Sequence, residues 1–363
     1  MPRRLLAVVG LGAALVAACM PTASAPSPSP SATVTADPSG AASTGPGPSP
    51  SEVATAWRQL APAGSAPVPR EDHTWTVDPD GGVAYLFGGR GESGALDDFW
   101  AFDLEDETWD ELAAGPAGRF GHNAAWVPGV GVVIFAGQGD GGFFDDLWAF
   151  DPDVRAWREL PASGAIPVRR YGSCAALGPD GRLWISHGFT GEGAGRFSDT
   201  RAYDFATGIW TDETPVGAAP IVRCLHGCWW TDAGQLALYA GQTTGTTSLA
   251  DWWELTVGER PGTNGWAQVS AELPPARNLY AATRWGQSTL VFGGQALDRS
   301  YLGDAWQLWD DRTTSPVTPT GGSAPPARSG SELVADAARH RVLLFGGTPG
   351  GTMFGDLWEL TLP

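Results

Sequence analysis

The sequence predicts an all-β fold, a six-bladed propeller closed by its own N-terminal strand and preceded by an export leader and a long tether. Three observations carry this. A strand-and-turn pattern recurs six times at a period near 50 residues. Gly 50, Pro 30 and Trp 18 in 363 residues suit short strands, tight turns and aromatic packing between sheets. The last repeat stops one strand short, and the start of the repeat region holds a strand to spare.

Residues 1–18 come first. Arg3 and Arg4 precede an apolar run from Leu5 to Ala18, the pattern of a secretory signal and too short for a membrane span. The run ends Leu15-Val16-Ala17-Ala18-Cys19, which resembles a bacterial lipobox. That resemblance implies cleavage before Cys19 and acylation of its thiol. Residues 19–53 are almost only Pro, Ser, Ala, Thr and Gly. Such a segment buries too little apolar surface to order itself and reads as an extended tether. The expected location is extracytoplasmic, anchored to the cell membrane by lipid alone.

The repeats occupy 54–363. An apolar strand ends in a small pair at Gly88-Gly89, Ala136-Gly137, His187-Gly188, Ala240-Gly241, Gly293-Gly294 and Gly346-Gly347. About ten residues later comes Asp-x-Trp, at Asp98, Asp146, Asp251, Asp304 and Asp356; the third copy keeps Asp199 but has Arg201 in the Trp slot. These aspartates lie 48, 53, 52, 53 and 52 residues apart by subtraction. A further Trp follows at 109, 157, 210 and 266, and the fifth copy has Ser315 in its place. Each unit opens with an arginine: Arg70, Arg119, Arg170, Arg223, Arg277 and Arg328.

The glycine pairs, the spaced aromatics and the period resemble the kelch family over residues 57–363. The resemblance implies four-stranded blades around a central channel. The final unit ends at its third strand, Trp358-Glu359-Leu360-Thr361-Leu362. Trp57-Arg58-Gln59-Leu60 matches the fourth strands that begin at Trp109 and Trp157. Pairing these two removes two open sheet edges.

A residue present in every blade is expected to be architectural. The apolar residue two before each motif aspartate, Phe144 and Phe197 among them, is expected to pack rather than bind. Two roles are open to the arginines. They can pair with neighbouring carboxylates and carbonyls, or ring a channel mouth and capture an acidic group, as arginines do in some intracellular kelch domains. Ligand-binding residues are expected there, and in the uneven loops between second and third strands: Arg90, Glu92, Gln138, Asp140, Phe189, Glu192, Gln242, Gln295 and Thr348. Blade three departs most, through His187, Arg201 and a long loop, and is expected to be a specialised side.

His73, His122 and His226 share one repeat position, but blades one, two and four are not symmetric neighbours, and no metal or cofactor is expected. Cys174 can form a disulfide with either Cys224 or Cys228, or all three can be buried thiols. Glu332, Asp336 and His340 resemble the iron-binding pattern of plant specifier proteins, yet Asp336 to His340 reads as a hairpin turn on the face opposite the arginines.

The net charge is −18, with 22 basic residues and 40 acidic ones, which excludes nucleic acid as a partner. The sequence contains no nucleophile elbow, phosphate loop or zinc spacing. The expected function is a monomeric binding module for a protein or carbohydrate partner in the cell envelope. The alternative is a sugar-acting enzyme, since kelch propellers include galactose oxidase and an exported six-bladed sialic acid mutarotase. A mutarotase needs a carboxylate and an arginine, and Glu92 or Glu192 with the arginines can supply them.

Overall fold

A computed structural model of the chain describes residues 55–191, 195–260 and 262–363. The leader, Cys19, the tether and Glu192 lie outside the described residues.

Six antiparallel sheets follow one another along the chain, each with its four strands in radial order. In blade one these are Thr74–Asp78, Val83–Phe87, Phe99–Asp103 and Thr108–Leu112. The innermost strands of the other blades are Asn123–Val127, Cys174–Leu177, Gly227–Trp230, Ala281–Trp285 and Ser329–Asp336. Blade three adds a short fifth strand, Ser163–Gly164, parallel to Ile209–Asp212.

The strand at Ala56–Leu60 completes blade six, antiparallel to Leu357–Thr361 with Trp57 opposite Leu360. Trp57 is buried and meets Phe292 of blade five edge-on at 5.3 Å. Closure follows the expected strand, and it joins the two ends of the repeat region.

The apolar core is divided into six clusters, one at each blade–blade interface. Between blades one and two it is Tyr85, Phe87 and Phe99 against Val132, Ile134 and Phe150. Between six and one it is Val334, Leu343 and Phe345 against Trp75, Leu86 and Phe102. Side chains alternate across each strand, so both faces of every blade are buried against a neighbour. Twisted sheets packed this way diverge outward, and the repeated Trp residues fill the wider gap.

The turn after Ser329–Asp336 is a 3-10 segment, Ala337–Arg339, followed by the strand Arg341–Thr348. The Arg341 Nε donates to Asp336 Oδ2 at 2.9 Å, so Asp336 is held in an ion pair. This is the hairpin read from the sequence. One disulfide joins the innermost strands of blades three and four, from Cys174 to Cys228, with Cα atoms 5.6 Å apart. Cys224 is a buried free thiol, and burial pushes its pKa up.

Candidate functional site

The six arginines are fully buried, at 0 % exposure each. Every Nε donates to the carbonyl two residues earlier, at 2.9–3.2 Å. Every Nη1 donates to the first carbonyl of the small pair, at 2.7–3.0 Å. The guanidinium then forks onto both oxygens of the motif aspartate at 2.6–3.1 Å, from Arg70 on Asp98 to Arg328 on Asp356. Burial works against the charge on Asp199, Asp251, Asp304 and Asp356. The arginine's hydrogen bonds and charge outweigh it and hold all four below the usual carboxylate range.

These arginines therefore have no face to offer a ligand. The expected cationic mouth at Arg70, Arg119, Arg170, Arg223, Arg277 and Arg328 is corrected to a framework. Its donors are used up in tying the start of each innermost strand to the two strands outside it. The apolar residues before the aspartates also pack as expected: Phe144, Phe197 and Phe354 lie under Arg119, Arg170 and Arg328 at 4.1–4.5 Å.

Blade three is corrected in the same way. In five blades the motif Trp donates its indole N–H to the aspartate at 2.7–2.8 Å. Arg201 does the same for Asp199 with its Nε at 3.2 Å. His187 occupies the left-handed position that Gly88, Ala136 and Ala240 hold elsewhere, with φ of 58°, and is 0 % exposed. Both departures conserve the framework geometry. Among the described residues blade three is set apart by its fifth strand and by the extended pair Leu183–Thr190 and Gly195–Asp204.

The histidines three after Arg70, Arg119 and Arg223 turn into the interface with the preceding blade. His122 Nε2 is 2.7 Å from Thr74 Oγ1, and its ring meets Phe87 edge-on at 5.3 Å. His73 meets Phe345 at 5.7 Å, and His226 meets His187 at 5.5 Å. Burial pushes all three imidazoles far below their ordinary pKa, so they are neutral wedges.

The residue two after each arginine closes a ring. Asp72, Gly121, Gly172, Leu225, Leu279 and Gly330 all have φ between 53° and 66°. Each N–H donates to the carbonyl of its counterpart in the preceding blade, Gly121 to Asp72 and so on round to Asp72 itself on Gly330, at 2.7–3.1 Å. A Cβ on Gly121 would lie 2.0 Å from the Tyr171 ring, and one on Gly172 would lie 2.7 Å from Leu225 Cδ2. Glycine is required at both, for the left-handed backbone and for the close approach.

Above this ring, on the face carrying the long loops, lies a cluster of which sequence reasoning found Arg90 and Phe189 but missed Glu71, Asp72, Phe120, Phe143, Tyr171 and Arg196. Glu71 is paired with Arg90, whose Nε is 2.9 Å from Glu71 Oε1. Tyr171 Oη donates to Asp72 Oδ2 at 3.0 Å. Burial first, and then the Glu71 charge, push the Asp72 carboxyl up to about 7. Phe120 and Tyr171 meet at 5.8 Å, Phe143 and Phe189 at 6.0 Å. Arg90 lies over Phe120 at 5.5 Å and Arg196 over Phe189 at 5.6 Å. Blades two and three thus present four partly exposed aromatic rings beside one acidic pair.

The other expected loop residues are dispersed. Gln138 bonds Phe120 through its backbone, and Gln242 is held by Arg196, whose Nη2 donates to Oε1 at 2.7 Å. Asp140 Oδ1 accepts from the Ala95 N–H at 3.2 Å and links blades one and two. The Gln295 carbonyl accepts from Ser248, and Thr348 Oγ1 accepts from the Gly350 N–H. Glu92 is exposed beside a cavity formed with Val68, Leu96 and Met353 at the seam between blades six and one. Of the expected set, Arg90 and Phe189 join the aromatic cluster directly. Gln138 and Gln242 are hydrogen-bonded to its members Phe120 and Arg196.

Residues 52–241, just over half of the chain, match the KLHDC2/KLHL20/DRC7 Kelch-repeats domain. The chain belongs to the kelch-repeat family. Among curated proteins it is 28% identical over 183 residues to the mouse leucine-zipper-like transcriptional regulator 1, covering 46% of this chain and 21% of that protein. It is 26% identical over 208 residues to the Drosophila melanogaster homolog, covering 54% of this chain and 21% of that protein. The chain thus spans about a fifth of the length of the curated relatives it matches. Among solved structures, YjhT superposes with a TM-score of 0.65 at 17% identity, covering 82% of this chain and 96% of that one. That likeness is one of fold.

Proposed function

We propose that this chain is an extracytoplasmic, lipid-anchored binding module whose ligand docks on the loop face of blades two and three. The observation that carries this reading is the four-ring cluster of Phe120, Phe143, Tyr171 and Phe189, set between the engaged cations Arg90 and Arg196. Large rigid rings on a scaffold bind with little loss of conformational entropy. The cluster is bordered by Glu71, Asp72 and Asp140 rather than by a free cationic ring. It suits the apolar face of a neutral sugar better than an acidic group. The leader and tether read from residues 1–53 support display outside the cytoplasm.

A glycan screen by thermal shift tests it. Neutral glycans are expected to raise the melting temperature, and the shift is expected to vanish in the Phe120→Ala and Phe189→Ala variants. A shift confined to acidic glycans, or one unchanged in both variants, would overturn the assignment. No shift with any glycan would redirect the site to a protein partner.

The Asp72–Tyr171 pair favours a second reading, a sugar-acting enzyme of the mutarotase kind. A carboxyl poised at about 7 and hydrogen-bonded to a phenol can exchange a proton near neutrality. Anomer exchange followed by NMR distinguishes the two. Acceleration lost in Asp72→Asn supports the enzyme, and binding with no acceleration supports the module.

A further inference from the structure

Below the ring of six residues runs the central channel, with a volume of about 330 Å³, within the range of small-ligand sites. Its lining starts at the ring and follows the innermost strands to Val77, Ala175, Thr283 and Val334. None of the loop-face cluster except Asp72 borders it. The ring of six hydrogen-bonded backbones marks one end of this lining, and the strand residues towards the short hairpin turns mark the other.

The end at the ring is rich in carboxyls and incompletely bonded. Asp72 is 9% exposed, and its Oδ1 has no hydrogen-bond partner; Ser331 is 2% exposed, and its Oγ has none. Glu332, the next residue, faces the same lumen. Among the described residues the lining contains no Arg, and its three histidines are neutral. The walls carry the polar groups of Thr74, Asn123, Ser173 and Tyr280.

Buried carboxyls without a counter-cation are unfavourable unless protonated or paired. Burial first, and then the neighbouring Asp72 charge, push the Glu332 carboxyl up to about 8.

We propose that the ring end of the channel is a binding site for a small organic cation bearing a primary ammonium group, held by Asp72, Ser331 and Glu332. An ammonium has three donors, and the site offers three acceptor groups. The polar walls accommodate a hydroxylated body. Asp72 is common to this site and the loop-face cluster, whereas Ser331 and Glu332 belong to the channel alone, so variants of those two test this site without touching the loop face.

Calorimetric titration of the full chain with its disulfide intact tests the proposal, with ethanolamine and glucosamine as probes and ethylene glycol and glucose as neutral analogues. The amines are expected to bind at least about tenfold more tightly than their analogues, the scale of one charge-assisted hydrogen bond. Binding at pH 7 is expected to release protons, seen as a dependence of the heat on buffer ionisation. Glu332→Gln is expected to fold with an unchanged or higher melting temperature and to lose the preference. Ser331→Ala, which keeps both carboxyls, is expected to weaken it. Equal affinity for amines and neutral analogues would overturn the proposal, as would a preference that survives in Glu332→Gln. Displacement of the amines by calcium at equal concentration would overturn it in favour of a metal site.

Discussion

Asp356 accepts two bonds from Arg328, and that guanidinium is 0 % exposed. Asp356→Ala leaves a positive charge buried without its partner, an arrangement that costs about 3–5 kcal/mol. Denaturant unfolding is expected to show that loss, and an unchanged midpoint would remove the framework role. Titration at single residues acts in two directions. The motif aspartates, held below the usual carboxylate range, contribute stability that is present above their unfolded pKa and lost as pH falls through the folded value. Asp72 and Glu332 are the reverse: raised to about 7 and about 8, they hold protons in the folded state that the unfolded chain has released. Stability is therefore expected to fall as pH rises from the ordinary carboxylate range towards 8. Glu332→Gln should flatten that slope in melting curves taken from pH 5 to 8, and an identical slope would show that the carboxyl is not confined.

At the scale of the element, the strand Ala56–Leu60 gives blade six its fourth strand and buries Trp57 and Leu60. Deleting residues 54–62 exposes the edge of Leu357–Thr361 and removes packing from two interfaces, because Leu60 belongs to the cluster with blade one and Trp57 to the cluster with blade five. The truncated protein is expected to melt well below the intact one and to aggregate by light scattering. A melting curve unchanged by the deletion would sink the closure model. This strand was legible because it repeats a pattern seen elsewhere in the chain, and so were the glycine pairs, the packing phenylalanines and the turn at Asp336. The pairing of arginine with motif aspartate was harder to read. The two groups lie 27 to 29 residues apart, and the sheet alone brings them together. Phe120 and Tyr171 follow framework arginines at a position whose residue type changes from blade to blade, so no repeat marked them. Glu332 was visible only inside a motif that resembled an iron site, and its place in the channel depends on the ring geometry.

For the whole molecule, stability is distributed over six interfaces, each apolar outside and polar near the axis. Three of the six residues two after an arginine are glycines, and only the assembled molecule shows that all six bond to one another in a circle. That circle has a kinetic meaning. Its six N–H groups all point the same way round the axis, so no blade can swing out without breaking the bond on either side of it. The amides of Asp72, Gly121, Gly172, Leu225, Leu279 and Gly330 should therefore exchange with deuterium together, and only when the molecule opens as a unit. Amides of the outermost strands, such as Thr108–Leu112, are expected to exchange earlier through local fraying. The axis then acts as a clock for the integrity of the circle, and a ring amide that exchanges as fast as the rim would show that the blades move independently.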